Sequence, residues 1–126
     1  MNYVHLVAVV AMIQFFYFGI MVGRARVKYG VDAPATSGHE MFDRAFRIQM
    51  NTLELMVCFL PALLLADVYW PGTVIAAIGA VYIVGRFLYA RSYNNEPSTR
   101  ALGFLLSVLP TFTLMGAVGL GAVMAR

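Results

Sequence analysis

Four long apolar runs, separated by short polar turns, constrain this chain more than any other feature. A helix that crosses a membrane needs about 20 mostly apolar residues. The run over residues 3–23 supplies one, with His5 and Gln14 as its only strongly polar members, and the others cover residues 39–68, 73–93 and 98–124. The sequence therefore predicts an all-α integral membrane protein, a four-helix bundle that forms one domain over residues 1–126.

The turns between these runs have recognisable signals. Trp70, Pro71 and Gly72 read as a turn, and Ser98 reads as the N-cap of the fourth helix. Pro61 and Pro110 fall inside runs, where membrane helices tolerate them as kinks. Small residues let membrane helices approach closely, so three glycines in the fourth run are expected to serve helix packing. They are Gly116, Gly119 and Gly121.

The composition excludes several classes of protein. Only 12% of the residues are charged, whereas soluble domains carry about 25%. The net charge of +3 does not indicate nucleic-acid binding, because the basic residues flank apolar runs, as they do at membrane boundaries. Cys58 lies in an apolar run and is expected to be a buried, inert thiol. The two histidines and one cysteine form no metal-binding pattern, so no metal site is expected.

The basic residues predict the orientation in the membrane. Eight of the nine fall between the first and second runs or around the loop between the third and fourth runs. The positive-inside rule places that side in the cytoplasm. We therefore expect a multi-pass protein of a bacterial inner membrane, with its polar site facing the cytoplasm, although the same charge pattern would equally fit an endoplasmic reticulum protein.

Polar residues inside the second run suggest a functional site. Arg44, Arg47, Asn51 and Glu54 fall within about 80° of one helix face. An ionisable group inside a membrane span is a functional-site hypothesis by default. The spacing supports equally a structural ion pair, between Arg47 and Glu54 or between helices, that pins the bundle.

A second polar group lies on the third run. Arg86, Tyr89 and Tyr93 fall within about 60° of one helix face. Taken alone, they read better as interfacial tyrosines and an arginine that reaches the lipid headgroups.

Arg100 lies beside a helix N-terminus, which favours anions. The convergence of these residues with Arg26 and Arg47 at one depth indicates a pocket for a small ligand with several carboxylates and an amine.

Two motifs carry a family resemblance that extends over essentially the whole chain. The segment 42–54 is similar to the pattern F-x-R-x-x-R-x-Q-x-N-x-x-E, and the segment 86–93 is similar to R-x-x-Y-x-x-x-Y. Both patterns resemble those of the membrane-associated proteins in eicosanoid and glutathione metabolism. That family includes microsomal glutathione transferases, leukotriene C synthase and microsomal prostaglandin E synthase.

The resemblance implies a homotrimer of four-helix subunits, with glutathione as co-substrate bound between neighbouring subunits near the cytosolic face. Arg100 is then expected to be catalytic, by stabilising the glutathione thiolate. The other residues expected to contact glutathione, from the resemblance and from the convergence described above, are Arg26, Arg47, Gln49, Asn51, Glu54, Arg86, Tyr89 and Tyr93. Gln49 lies about 200° from Arg47 on the helix wheel, so it requires a site at a subunit boundary or an indirect role.

Departures from the specialised branches of the family indicate a generalist enzyme. Leu55, Val27 and Ala101 stand where the leukotriene or prostaglandin branches have tyrosine, arginine and serine, respectively. The sequence therefore predicts a glutathione transferase that conjugates lipophilic electrophiles drawn from the bilayer, with membrane lipid as its other contact. A glutathione-dependent lipid hydroperoxide peroxidase and a non-catalytic membrane scaffold are the alternatives, and a small transporter or channel subunit ranks last.

Overall fold

The computed structural model describes residues 1–125 and consists of four long helices. They are α1 (Tyr3–Tyr29), α2 (Glu40–Tyr69), α3 (Gly72–Asn95) and α4 (Ala101–Met124), with a short 3-10 helix at Pro97–Thr99 before α4. All four of these helices have the length and the apolar composition needed to cross a membrane. This part of the chain contains no β-strand, and the prediction of an all-α protein with four membrane-length helices is confirmed.

Two helix boundaries differ from the predicted ones by more than two residues. Helix α1 continues to Tyr29 because nothing in residues 24–29 breaks it, and it ends where Gly30 adopts the left-handed conformation with a φ of 69°. Ser98 is not the N-cap of α4. Its hydroxyl bonds to the Glu96 carboxylate, and α4 begins after Arg100, which takes the cap position without a side-chain capping bond.

The helices alternate in direction, up and down. The first turns of α1 and α3 lie together, since Val4 is next to Gly72, and Phe18 contacts Phe87 further along both helices. Arg44, near the start of α2, bonds to the carbonyl of Asn94, near the end of α3. We call the end where α1 and α3 finish and α2 and α4 begin the basic end, because eight of the nine basic residues lie in these segments and the loops between them.

Helices α3 and α4 approach each other closely at two glycines. A side-chain carbon on Gly85 would lie 2.6 Å from the backbone of Leu106, and one on Gly103 would lie 2.2 Å from the backbone nitrogen of Tyr89. Real atoms do not approach this closely, so only glycine permits the contact. The packing role expected in α4 holds for Gly121, which lies against Tyr69, but not for Gly116 and Gly119, which face open space within this chain.

Candidate functional site

The centre of the site is a buried arginine that joins three helices. Arg86 on α3 is 0% exposed. Its Nε donates to Ser107 Oγ on α4 at 2.8 Å, and its Nη1 donates to Asn51 Oδ1 on α2, also at 2.8 Å. The guanidinium carbon lies 4.3 Å from the centre of the Tyr89 ring. The interpretation that Arg86 reaches out to lipid headgroups is therefore wrong, because its hydrogen-bond partners all lie inside the bundle.

Two hydroxyls are oriented to accept from this arginine. Thr52 Oγ1 lies 3.3 Å from Arg86 Nη1 and donates its own proton to the carbonyl of Ile48 at 2.8 Å. Ser107 Oγ likewise donates to the carbonyl of Gly103 at 2.6 Å. Since each hydroxyl has one proton, this back-bonding leaves its lone pairs for the guanidinium. Sequence reasoning missed Thr52 and Ser107, and their only signal was a small polar residue inside an apolar run.

The arginine also fixes the orientation of the Asn51 amide. A guanidinium donates hydrogen bonds and cannot accept them, so the Asn51 atom that faces Arg86 is the oxygen. The Asn51 amino group is thereby turned away from Arg86. The third nitrogen of the guanidinium, Nη2, is buried and has no hydrogen-bond partner within residues 1–125.

Tyr89 connects this network to Arg100. Its ring lies 5.6 Å from the Tyr93 ring, and its backbone packs directly on Gly103 in the first turn of α4. This contact places Arg100, three residues before Gly103, on the same side of the bundle. Tyr89 therefore contacts both the buried Arg86 and the first turn of α4, the helix that begins after Arg100.

Arg100 lies at an uncapped helix start. Its side chain is exposed, and its Nη1 donates to the carbonyl of Pro97 at 2.8 Å. No side chain caps the first N–H groups of α4. Unpaired N–H groups and the helix dipole make such a terminus attractive to anions. Arg100 adds a full positive charge to this corner.

The remaining polar residues of α2 separate into two groups. Arg44 bonds to Glu40 at 2.5 Å and to the carbonyl of Asn94 at 2.8 Å, so it holds α2 to the end of α3. Arg47 and Glu54 are exposed. The Arg44–Glu40 pair is the only ion pair among the described residues, and the alternative of an Arg47–Glu54 pair that pins the bundle is not observed.

Arg26, Gln49 and Glu54 make no hydrogen bond to the other predicted site residues within the described part of the chain. Arg26 Nη1 donates to the carbonyl of Ala35 at 2.7 Å and its guanidinium lies over Phe42, so it holds the loop between α1 and α2. Gln49 faces α1, where a side chain at Gly19 would meet its amide nitrogen at 2.9 Å. This placement agrees with the helix-wheel argument that Gln49 and Arg47 lie on different faces of α2.

Two cavities at the basic end do not collect the predicted residues. A cleft of about 960 Å³ between α1, α2 and α3 is lined by none of the nine. A smaller polar pocket of about 480 Å³ near the start of α2 includes only one of them, Tyr93.

Cys58 is exposed, contrary to expectation, because it lies on the side of α2 that faces away from the bundle. Residues 1–125 contain no group of three His, Cys, Asp or Glu side chains that could hold a metal ion.

Comparison with known proteins identifies the family. The model of the MAPEG family, the membrane-associated proteins in eicosanoid and glutathione metabolism, matches residues 4–120. The chain is 44% identical over 110 residues to an uncharacterized protein of Synechocystis sp., covering 87% of this chain and 80% of that protein. It is 39% identical over 116 residues to human microsomal glutathione S-transferase 2, covering 90% and 79% of the two chains. It is 32% identical over 105 residues to leukotriene C4 synthase of Cavia porcellus, covering 83% and 70%. A four-helix chain with these motifs and these matches belongs to the MAPEG family.

Proposed function

We propose that this protein is a membrane-bound glutathione transferase that activates glutathione as a thiolate and conjugates it to lipophilic electrophiles. The observation that carries the proposal is the cluster around Tyr89. There the exposed Arg100 at the uncapped start of α4 adjoins a buried, hydrogen-bonded network centred on Arg86. Relatives named glutathione S-transferase and leukotriene C4 synthase support the same chemistry.

Arg100 is proposed to stabilise the thiolate. A free thiol has a pKa of about 8.5, so only about 3% is ionised at pH 7. A decrease of about 2 units in the thiol pKa raises this fraction to roughly 75% and requires about 2.7 kcal/mol. A positive charge beside a helix N-terminus acts in the required direction.

The reaction then needs only a positioned nucleophile. The thiol proton leaves to solvent, and the sulfur electron pair forms a new bond to an electrophilic carbon. A leaving group departs with its bonding pair, or, for an activated alkene, the resulting carbanion takes a proton from water. Holding the two reactants together supplies the remaining rate advantage. Lipophilic substrates reach the site from the bilayer, and glutathione reaches it from the aqueous side.

The remaining predicted residues are proposed to hold glutathione. The amino group of Asn51, turned away from Arg86, is a donor for a peptide carbonyl or carboxylate. Arg47 suits a glutathione carboxylate and Glu54 suits the amine, since each pairs with the opposite charge. Tyr89 and Tyr93 supply hydroxyls beside them, and Arg86 keeps Asn51 and Tyr89 in position.

We propose that the complete site forms between subunits of a homotrimer. Arg47 and Glu54 are exposed on α2, and neither cavity described above gathers them with Arg100. Arg26 and Gln49 lie away from the Tyr89 cluster within one chain, so they would contact glutathione bound by a neighbouring copy. The basic end is proposed to face the cytoplasm of a bacterial cell, in keeping with the positive-inside rule.

The test is glutathione binding to the detergent-purified protein, followed by the ultraviolet absorbance of the thiolate. We expect the wild type to show thiolate absorbance at pH 7, and Arg100→Ala to lose it together with about 100-fold in conjugation rate. Arg100→Lys keeps the charge and should retain part of the signal. Ser98→Ala, two residues away on the exposed turn, is the matched control and should behave as wild type.

The outcomes separate the alternatives. An unchanged thiolate signal and rate in Arg100→Ala would show that Arg100 does not activate the thiol. Glutathione binding without thiolate formation in the wild type would contradict the transferase mechanism, and no binding at all would favour the scaffold. Assaying the same samples with a lipid hydroperoxide distinguishes conjugation from peroxidase activity.

A further inference from the structure

The cleft between α1, α2 and α3 has a charged outer end and an apolar interior, and it plays no part in the proposed glutathione site. Its outer end carries three basic side chains, Arg24, Lys28 and Arg91, which we call the basic rim. All three are exposed, and none makes a hydrogen bond or an ion pair to any other residue in the described part of the chain. The rim is therefore a concentration of positive charge without a protein counter-charge.

Below the basic rim the cleft is apolar. Ile20 lies one turn deeper than Arg24 on α1, and Phe87 lies one turn deeper than Arg91 on α3, so each is about 6 Å further along its helix. Both are more than 45% exposed and form the outer walls. Phe18 and Ile48 are buried and also line the cleft. Charge at the membrane surface and apolar walls below it match a molecule with an anionic head and a hydrocarbon chain.

The size of the cleft fits such a molecule. Its volume of about 960 Å³ lies in the upper part of the range of about 300–1,000 Å³ that ligand sites occupy. Basic pockets between membrane helices on the cytoplasmic side are a recognised setting for anionic lipid headgroups. Glutathione itself fits poorly, because it has no apolar portion to occupy the walls formed by Ile20 and Phe87.

We propose that this cleft is a binding site for an anionic phospholipid, with its phosphate at the basic rim and an acyl chain between α1 and α3. The site is separate from the Tyr89 cluster and does not depend on the glutathione proposal. The lipid would fill the gap between α1 and α3 and join the end of α1 to the end of α3.

The test measures lipid retention by native mass spectrometry of the full-length protein. Phosphatidylglycerol and phosphatidylcholine with identical acyl chains are titrated separately. We expect phosphatidylglycerol to bind at least tenfold more tightly. Each basic side chain near a membrane surface contributes about fivefold in affinity for anionic lipid, so Arg24→Gln with Arg91→Gln should weaken phosphatidylglycerol binding by roughly 25-fold. Arg24→Lys with Arg91→Lys keeps the charge and should retain most of the affinity.

A second variant tests the cleft separately from its charge. Gly23 lines the cleft, and a Cβ carbon placed there meets no atom within 4 Å, so the side chain of Gly23→Leu starts in open space and adds bulk at the cleft. Gly119→Leu is the matched control, because Gly119 also has nothing within 4 Å but lies on α4. We expect Gly23→Leu to lower phosphatidylglycerol binding at least fivefold and Gly119→Leu to leave it unchanged.

Three results would overturn the proposal. Equal binding of the two lipids by the wild type would remove the role of the basic rim. Equal effects of Gly23→Leu and Gly119→Leu would indicate general contact with surrounding lipid. Full competition by glycerol phosphate, which has no acyl chain, would show a phosphate site and not a lipid site.

Discussion

The two sides of α3 differ in how closely they pack. Toward α4, Gly85 and Gly103 bring the backbones into direct contact, and Arg86 is enclosed beside them. Toward α1, side chains keep the helices apart. Near its start α3 packs on α1 through Val7, whose side chain would lie 2.7 Å from a side-chain carbon on Gly79. Closer to the basic end, the contacts include the Phe18 and Phe87 rings, 6.3 Å apart, and a hydrogen bond from Gln14 Nε2 to the carbonyl of Ile83 at 2.9 Å.

The difference explains where each kind of site lies. A charged side chain inside a membrane bundle needs fixed partners, because no water is available to replace them. The close contact between α3 and α4 holds Ser107 against Arg86 and packs the first turn of α4, which follows Arg100, on the Tyr89 backbone. The wider spacing between α1 and α3 leaves an apolar cleft open toward the outside. One side of α3 is suited to positioning polar groups, and the other is suited to admitting a lipid.

The largest loss of stability is expected from adding a side chain at Gly103. In Gly103→Ala the new carbon would lie 2.2 Å from the Tyr89 nitrogen, so α3 and α4 must separate. We expect a loss of about 3 kcal/mol in the free energy of unfolding, measured by denaturant titration in mixed micelles. Gly116→Ala, which meets nothing within 4 Å, is the control and should be neutral or slightly stabilising. Equal losses in both variants would contradict the close contact.

A smaller effect is expected from removing the polar network that this contact encloses. Arg86→Met should lower the free energy of unfolding by about 2 kcal/mol, because Asn51 and Ser107 lose a charged donor. In a double-mutant cycle with Asn51→Leu, we expect a coupling energy of about 1.5 kcal/mol. Arg91→Met removes the same charge from the exposed face of α3 and should change stability by less than about 0.5 kcal/mol. A coupling energy near zero would mean that the Arg86–Asn51 bond does not form.

The smallest change in stability is expected from a substitution on the α1 side of α3, at Gln14. Gln14 is buried and donates one hydrogen bond to Ile83, but its Oε1 has no partner within residues 1–125. In Gln14→Leu the lost bond and the relieved unpaired oxygen offset each other, so stability should change by less than about 1 kcal/mol in the same assay. A loss as large as that of Arg86→Met would show that the two sides of α3 are equally dependent on polar contacts.

Sequence reasoning anticipated much of the fold. The four helices and the position of the basic residues followed from run length and charge. The boundary errors were local. The continuation of α1 to Tyr29 was missed because basic residues were taken as the end of the helix, and the short 3-10 helix at Pro97–Thr99 moved the start of α4 past Ser98.

The site was anticipated less completely. The motif residues were identified, but which of them are buried was not, as Arg86 and Cys58 show. Taken with Tyr89 and Tyr93 alone, Arg86 read better as an arginine at the lipid headgroups, and it is buried; its expected contact with glutathione stays a prediction. Cys58 was expected to be buried and is exposed. Both errors have the same origin, since periodicity describes one helix and says nothing about which neighbour covers each of its faces.

By itself, the sequence determined that the chain forms four membrane-length helices, that its positive charge gathers at one end, and that it carries the motifs of the MAPEG family. Only the tertiary structure decided which glycines bring helices together, which arginine is enclosed and where a cleft remains. The physical reason is that membrane helices are apolar on nearly every side, so hydrophobicity does not mark the buried face. That face is set by how side chains fit between helices.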